Sequence, residues 1–211
     1  MIKYYISAYC VIKDNKTVIN GETFFQGNES QDFNEFIKAT YRFSKINYLK
    51  FFKMDKLCKL GFVAADLLIN QTGILKSYDS KNIAIVFSNK AASLDTDREH
   101  QHSIIDRNNY FPSPSVFVYT LPNIVTGEIS IRHKIYGENI FFISNQFDEN
   151  LLFNYVNTLL NNFSTDCCIT GWVDVDKNSY KAIIYIIEKS TIGSKDIIFD
   201  TENLKKIYTK Y

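Results

Sequence analysis

The sequence predicts an α/β fold, a layered mixed sheet flanked by helices. Three observations carry that prediction. The runs "NIAIVFS" (82–88) and "NIFFIS" (139–144) are continuously apolar and β-rich, the mark of strands covered on both faces. They alternate along the chain with stretches of helical periodicity such as "DENLLFNYVNTLLNNF" (148–163). A chain of 211 residues, 45% apolar and 15% aromatic, is also long enough to bury one sizeable core.

The elements follow in order. "KYYISAYCVI" (3–12) alternates apolar and polar residues and predicts a first strand, and Asn20-Gly21 signals a small hairpin after it. From residue 48 to 69, Phe51, Met54, Leu57, Leu60, Val63, Ala64, Leu67 and Leu68 recur at helical spacing and predict one long amphipathic helix. The strand at 82–88 comes next. Residues 89–114 are polar and carry Pro112 and Pro114, which predicts a short helix and an irregular loop. In "SVFVYTLPNIVTGEISIRHKI", Val116, Leu121, Ile124, Val125, Ile129 and Ile131 allow a helix on either side of Pro122, although propensity alone favours strand. A buried strand at 139–144 leads to a helix over 148–163 with Asp148 as its cap. "CCITGWVDV" and "YKAIIYIIE", joined by "DKNS", make an antiparallel hairpin, and a helical tail runs from Asp200 to Tyr208. The order is β-α-β-(α)-α-β-α-β-β.

Charge and composition exclude several roles. The formal net charge is +1 with no basic block, so nucleic acid and anionic lipid are poor partners. No stretch reaches the roughly 18 apolar residues that span a bilayer, and "MIKYYISAYCVI" reads as a strand rather than a leader, so no membrane insertion and a cytoplasmic location are expected. Cys10, Cys58, Cys167 and Cys168 lack metal-site spacing and disulfide density, and read as reduced core thiols. His100 and His102, with Glu99 beside them, could be a metal pair but read better as a solvated polar loop. No metal or cofactor is expected.

The motif "LPNIVTGEISIRHKIYGEN", just before a strand that runs into a helix, resembles the N-terminal half of the β-ketoacyl synthases of the thiolase-like superfamily. "YYISAYCVI" sits where those enzymes begin with a strand. "KMDKLCKLGFVAADLLI" looks like their first long helix, and "NIAIVFSNKAASLDTD" like the second strand and the loop beyond. "CITGWVDV" is similar to the strand that in the family ends in Gly and a Val-Asp pair. The resemblance covers nearly the whole chain and is greatest to the short synthase-like proteins of fatty-acid and aryl polyene pathways. It implies half of a thiolase fold, with residues 1–211 as a single domain, and it favours helix over 115–134.

Two departures from the family bear on function. The resemblance places a nucleophilic Cys at the tight turn between the third strand and its helix, where a helix N-terminus favours the thiolate. Counting from Gly137 puts Gln146 at that turn, with Asn145 or Phe147 as register alternatives, and none is a nucleophile. Ser144 would serve only after a slip of two and with a base beside it. Cys167 and Cys168 belong to the next strand, and His133 reads as structural. The second departure is length: the chain stops where the family's histidine-bearing half would begin.

The resemblance therefore implies no catalytic residue, with Gln146, Phe147, Asn123 and Pro122 as acyl-pocket candidates. It also implies a non-condensing auxiliary of fatty-acid or aryl-polyene-type polyketide synthesis. A glutamine at the turn resembles chain length factors and decarboxylating synthases. Expected partners are a second copy, a full-length ketoacyl synthase or an acyl carrier protein, because "SVFVYTLPNIVTGEISI" is apolar nearly all round and the third strand would lie at the sheet edge. The alternatives are an acyl- or malonyl-carrier-protein decarboxylase or acyltransferase completed by a partner chain, and a plain acyl- or protein-binding module.

Overall fold

The computed structural model describes residues 3–108, 110–162, 165–189 and 197–211. Strand β1 (Tyr5–Lys13) turns into β2 (Lys16–Ile19), which turns into β3 (Glu22–Gln26). Asp14, Asn15, Asn20 and Gly21 at the two turns all have positive φ, a conformation that Asp, Asn and Gly tolerate best. The expected hairpin at Asn20-Gly21 is present, and a second one precedes it.

Helix α1 (Phe33–Phe43) has no counterpart in the sequence reading. Its buried residues, Phe33, Phe36, Ile37, Thr40 and Tyr41, form an i, i+3, i+4, i+7, i+8 stripe, and Asp32 caps it by accepting the N–H of Glu35 at 2.8 Å. The helix expected over 48–69 is corrected. Leu49–Lys53 form a 3₁₀ turn, and α2 (Lys56–Thr72) starts only where Asp55 accepts the N–H of Cys58 at 2.8 Å. The apolar spacing runs through this break because the 3₁₀ turn buries Phe51 on the same side as the helix. Gly73, at φ 70°, ends α2 in the left-handed conformation.

A single turn, α3 (Ile74–Ser77), precedes β4 (Ile83–Asn89), every residue of which is buried. Helix α4 (Leu94–Ile104) is the short helix of the expected polar region, and the rest of that region is irregular up to Ser113; Asn109 lies outside the described residues. The motif around Pro122 is helical on both sides, as the one-turn α5 (Pro114–Phe117) and α6 (Ile124–His133). Strand β5 (Asn139–Ile143), helix α7 (Glu149–Asn161) and the hairpin of β6 (Cys167–Asp176) and β7 (Ser179–Glu188) come next. Asp148 caps α7, its carboxylate accepting the N–H of Leu151 at 2.9 Å; Phe163, where the expected helix ended, lies outside the described residues. Two residues of β8 (Ile197–Ile198) pair with β1, and α8 (Thr201–Lys210) follows its cap, Asp200.

The strands form one mixed sheet in the order β3-β2-β1-β7-β6-β4-β5, with β8 beside β1. β4 is parallel to both β5 and β6, and the other pairs are antiparallel. One face carries α1, α2 and α6, packed by residues such as Phe36, Phe62, Phe87 and Val125. The opposite face carries α7 and α8, packed by Phe147, Leu152, Trp172, Tyr185 and Leu204. A bulge between Ile6 and Ala8 reverses the parity of β1, so Ile6 serves the second core and Ala8 the first.

The strand at 139–144 is the open edge of the sheet, as the resemblance implied, and is only half-buried rather than covered on both faces as its apolar run suggested. Phe141 packs on the first core and Ile140 and Phe142 on the second, but Ile143 is exposed. Among the described residues, nine of the fifteen exposed large apolar side chains fall between 105 and 143; they include Phe111, Phe117, Leu121, Ile131 and Tyr136. Within this chain, only Tyr119, Val125 and Ile129 of the apolar residues of the Pro122 motif are buried.

Candidate functional site

The chain leaves β4 toward β5 through α6 on one face and leaves β5 toward β6 through α7 on the other. The strand order therefore reverses around β4, and a crevice opens beyond the carboxyl ends of the parallel strands. Such switch points are where open α/β sheets place their ligands. A cleft of about 610 Å³ lies there, lined by Gln146, Lys90, Trp172, Asp174, Lys181 and Tyr208 among others.

Each lining group is held by something local. The Asn89 side chain, itself fully buried, accepts the Ala92 N–H at 3.0 Å and donates to its carbonyl at 2.9 Å. That clasp folds the loop after β4 back on itself and sets Ala92 at φ 50°. Asp174 accepts the N–H groups of Lys90 and Ala91 at 3.0 and 2.9 Å, so its charge is spent on the same loop. The Ser144 N–H donates to the Asn89 carbonyl at 2.8 Å and ties the end of β5 to the end of β4. Gly171 lets β7 approach β6 closely, since a Cβ there would run into the Ile183 carbonyl.

The turn between β5 and α7 carries the residues singled out in the sequence. Asn145 and Gln146 are exposed, and Gln146 stands in the cleft. Phe147, the other register alternative, points inward: its ring stacks on Tyr208 at 4.0 Å and meets Trp172 edge-on at 6.2 Å. It lines the cleft wall and fixes the turn rather than presenting a reactive group. Pro122 and Asn123 open α6 on the other face of the sheet and do not line this cleft, so the structure does not join them to Gln146. The Asn123 carbonyl accepts the Gly127 N–H at 3.1 Å and the Thr126 hydroxyl at 2.8 Å, the work of a helix start.

The other candidates are placed as follows. Cys10, Cys58, Cys167 and Cys168 are all buried, and burial pushes each thiol well above the usual cysteine range, so none offers a thiolate. Cys167 and Cys168 point to opposite cores. His133 lies between α6 and α2, its Nε2 3.1 Å from the buried carboxylate of Asp66. His100 and His102 sit on α4 rather than in a loop. Two residues apart on a helix they point in different directions; His102 contacts the Arg98 carbonyl at 2.7 Å and His100 the ring of Phe117.

The sequence reading missed most of the lining. Trp172 and Asp174 on β6 and Lys181 on β7 share one face by strand parity, and Lys181 is directly opposite Asp174 and Lys13 in the sheet register. A lysine inside an otherwise apolar strand was the available signal. Tyr208 was not accessible this way, because nothing local says where a terminal helix docks. Lys181 Nζ donates to the Tyr208 carbonyl at 2.9 Å and sits 3.5 Å from the centre of its ring. Partial burial, with Lys13 beside it, brings its pKa down to about 8.

No family model and no curated protein matches the sequence. Solved structures do match the fold. The ishigamide ketosynthase/chain length factor superposes with a TM-score of 0.64 over 92% of this chain and 64% of its own, at 12% identity. The ketosynthase ApeO in complex with its chain length factor ApeC, from Xenorhabdus doucetiae, gives 0.57 over 91% of this chain and 81% of the matched one, at 11% identity. A β-ketoacyl synthase from Burkholderia phymatum STM815 gives 0.58 over 90% and 60%, at 7% identity. The chain thus spans less than two thirds of the first and third of these proteins. With sequence identity this low the likeness is one of architecture, and on that architecture the chain has the thiolase-like fold shared by ketosynthases and chain length factors.

Proposed function

We propose that this chain is a non-condensing subunit of chain-length-factor type, the partner of a ketosynthase in the synthesis of fatty-acid-like or aryl-polyene-like chains on a carrier protein. The observation that carries the reading is the turn after β5. It presents the carboxamide of Gln146 to the cleft, while all four cysteines are buried away from it. A carboxamide can donate and accept hydrogen bonds to a thioester carbonyl but cannot form the acyl-enzyme that condensation uses.

The open β5 edge supports the pairing half of the reading. An unpaired strand that ends in exposed Ile143 is a surface that a second thiolase-like subunit would cover by extending the sheet. Among the matched structures, one is a ketosynthase with its chain length factor, and another is a type II polyketide ketosynthase with its acyl-carrier protein. Those arrangements belong to those proteins, and they motivate a ketosynthase and a carrier protein as the partners to try.

Light scattering at micromolar concentration, on the protein alone and mixed with ketosynthases from the same cell, tests the proposal. The expected result is a 1:1 complex that Ile143→Asp abolishes, with no condensation product from acyl and malonyl thioesters unless the ketosynthase is added. A chain that stays monomeric with every ketosynthase, or that condenses on its own, overturns it.

A further inference from the structure

The cleft that holds Gln146 also holds an amine. Lys181 leaves the first part of β7 next to the last turn of α8, and it lines the same cleft. The charged groups around it are already engaged. From β1, Lys13 donates to the Tyr211 carbonyl at 2.9 Å and lies 3.4 Å from Asp14. From β6, the Asp174 carboxylate caps the Lys90 loop. From α8, Lys205 pairs with Glu149 of α7 at 3.1 Å. Among the described residues no carboxylate lies within salt-bridge distance of Lys181.

We propose that Lys181 is the acyl acceptor of this cleft, a lysine that takes acyl groups from thioesters entering beside Gln146. The step is an aminolysis. The lone pair of neutral Nζ attacks the thioester carbonyl carbon, the N–C bond forms, and the C–S bond breaks. The thiolate leaves and takes up the proton lost from nitrogen, giving an amide and a free thiol with no change of oxidation state. One N–H of the amine is given to the Tyr208 carbonyl, which fixes the nitrogen and leaves its lone pair available to the cleft. The Gln146 amide, which lines the same cleft, is a donor for the oxygen that becomes negative during attack.

Partial burial and Lys13 both disfavour the ammonium form. With a pKa of about 8 instead of 10.5, Lys181 holds roughly 300-fold more free base at pH 7 than an ordinary lysine. Lower basicity gives back part of that gain, so a net rate advantage of about tenfold over surface lysines is expected. A stable amide would mark the subunit by the acyl chain it has met. This inference rests on the proposal that the cleft meets acyl thioesters, and its two arms separate the amine from the cleft.

The wild-type protein is treated with trinitrobenzenesulfonate in one arm and with the acetyl thioester of N-acetylcysteamine in the other. Labelled peptides are mapped by mass spectrometry as pH is varied. The expected result in both arms is that Lys181 is modified about tenfold faster than Lys90 and Lys205, with a rate midpoint near pH 8, and that Lys181→Arg removes the fast site. Labelling of Lys181 no faster than those two lysines overturns the proposal. Fast trinitrophenylation without acetylation overturns it as well, by showing a reactive amine in a cleft closed to thioesters. Failure of the chain to bind any ketosynthase while Lys181 is still acetylated overturns the partner reading and leaves this inference standing.

Discussion

The two helical layers of this protein use their sheet in different ways. On one side, α2 is enclosed: twelve of its seventeen residues are buried, between the sheet beneath and α1 and α6 around it. On the other, α7 buries three of its thirteen, Leu152, Val156 and Leu160, and turns Asn150, Asn154 and Thr158 to solvent. The first layer holds the fold and even contains charge. Asp66 is fully buried in α2 and is met by His133, by Arg132 at 3.6 Å and by the Asn70 amide at 2.7 Å. Glu128 of α6, also buried, is met by Lys50 at 2.8 Å and the Tyr119 hydroxyl at 3.2 Å. The second layer is thin, and the cleft lies at its end. The contrast teaches that the structural ion pairs and the candidate site are kept apart by the sheet, so each can be perturbed alone.

The largest test of that separation is Phe62→Ala in the enclosed layer. Phe62 is fully buried, and its loss is expected to cost about 4 kcal/mol in urea unfolding while leaving the labelling pattern of Lys181 unchanged in the folded fraction. Asp66→Ala should cost about 3 kcal/mol, because it strands Arg132 and His133 against α2 without their carboxylate. If it costs nothing, the buried charges are not what holds α6 to α2. Phe147→Ala, in the thin layer, is expected to cost about 3 kcal/mol, at the low end for a phenylalanine because α8 can relax toward the space. It should also change Trp172 fluorescence and loosen the Lys181 site, which Phe62→Ala should not do.

The smallest expected effect is a pH dependence. Lys181 binds its proton more weakly in the folded protein than in the unfolded chain, with a pKa of about 8 against 10.5. Between those values the unfolded state holds more protons, so this lysine makes stability rise with pH from about 8 upward and contributes no slope below that window. Lys181→Met should remove that rise, read as the difference between the two stability profiles. An unchanged profile would place the ammonium group in ordinary solvent.

Much of the architecture was legible because it is local. The apolar run of β4, the Asp148 cap and helical period of α7, and the turn joining β6 to β7 each follow from residues within a few positions of one another. The site was legible only at its turn. Gln146 and Phe147 both line the cleft, Phe147 with its ring packed inward, whereas Pro122 and Asn123 went to the other face of the sheet, since a residue's spacing along the chain does not say which layer it joins.

The sequence by itself determined the α/β class, the open turn without a thiol and a net charge of only +1 with no basic run. Composition, hydrophobic period and residue type suffice for these. Only the tertiary structure decided that α8 docks Tyr208 onto Phe147, and that Lys181 and Gln146 share a cleft. Those facts depend on strand order and on contacts between residues tens of positions apart, which are set by how the layers bury their apolar faces together rather than by any local preference.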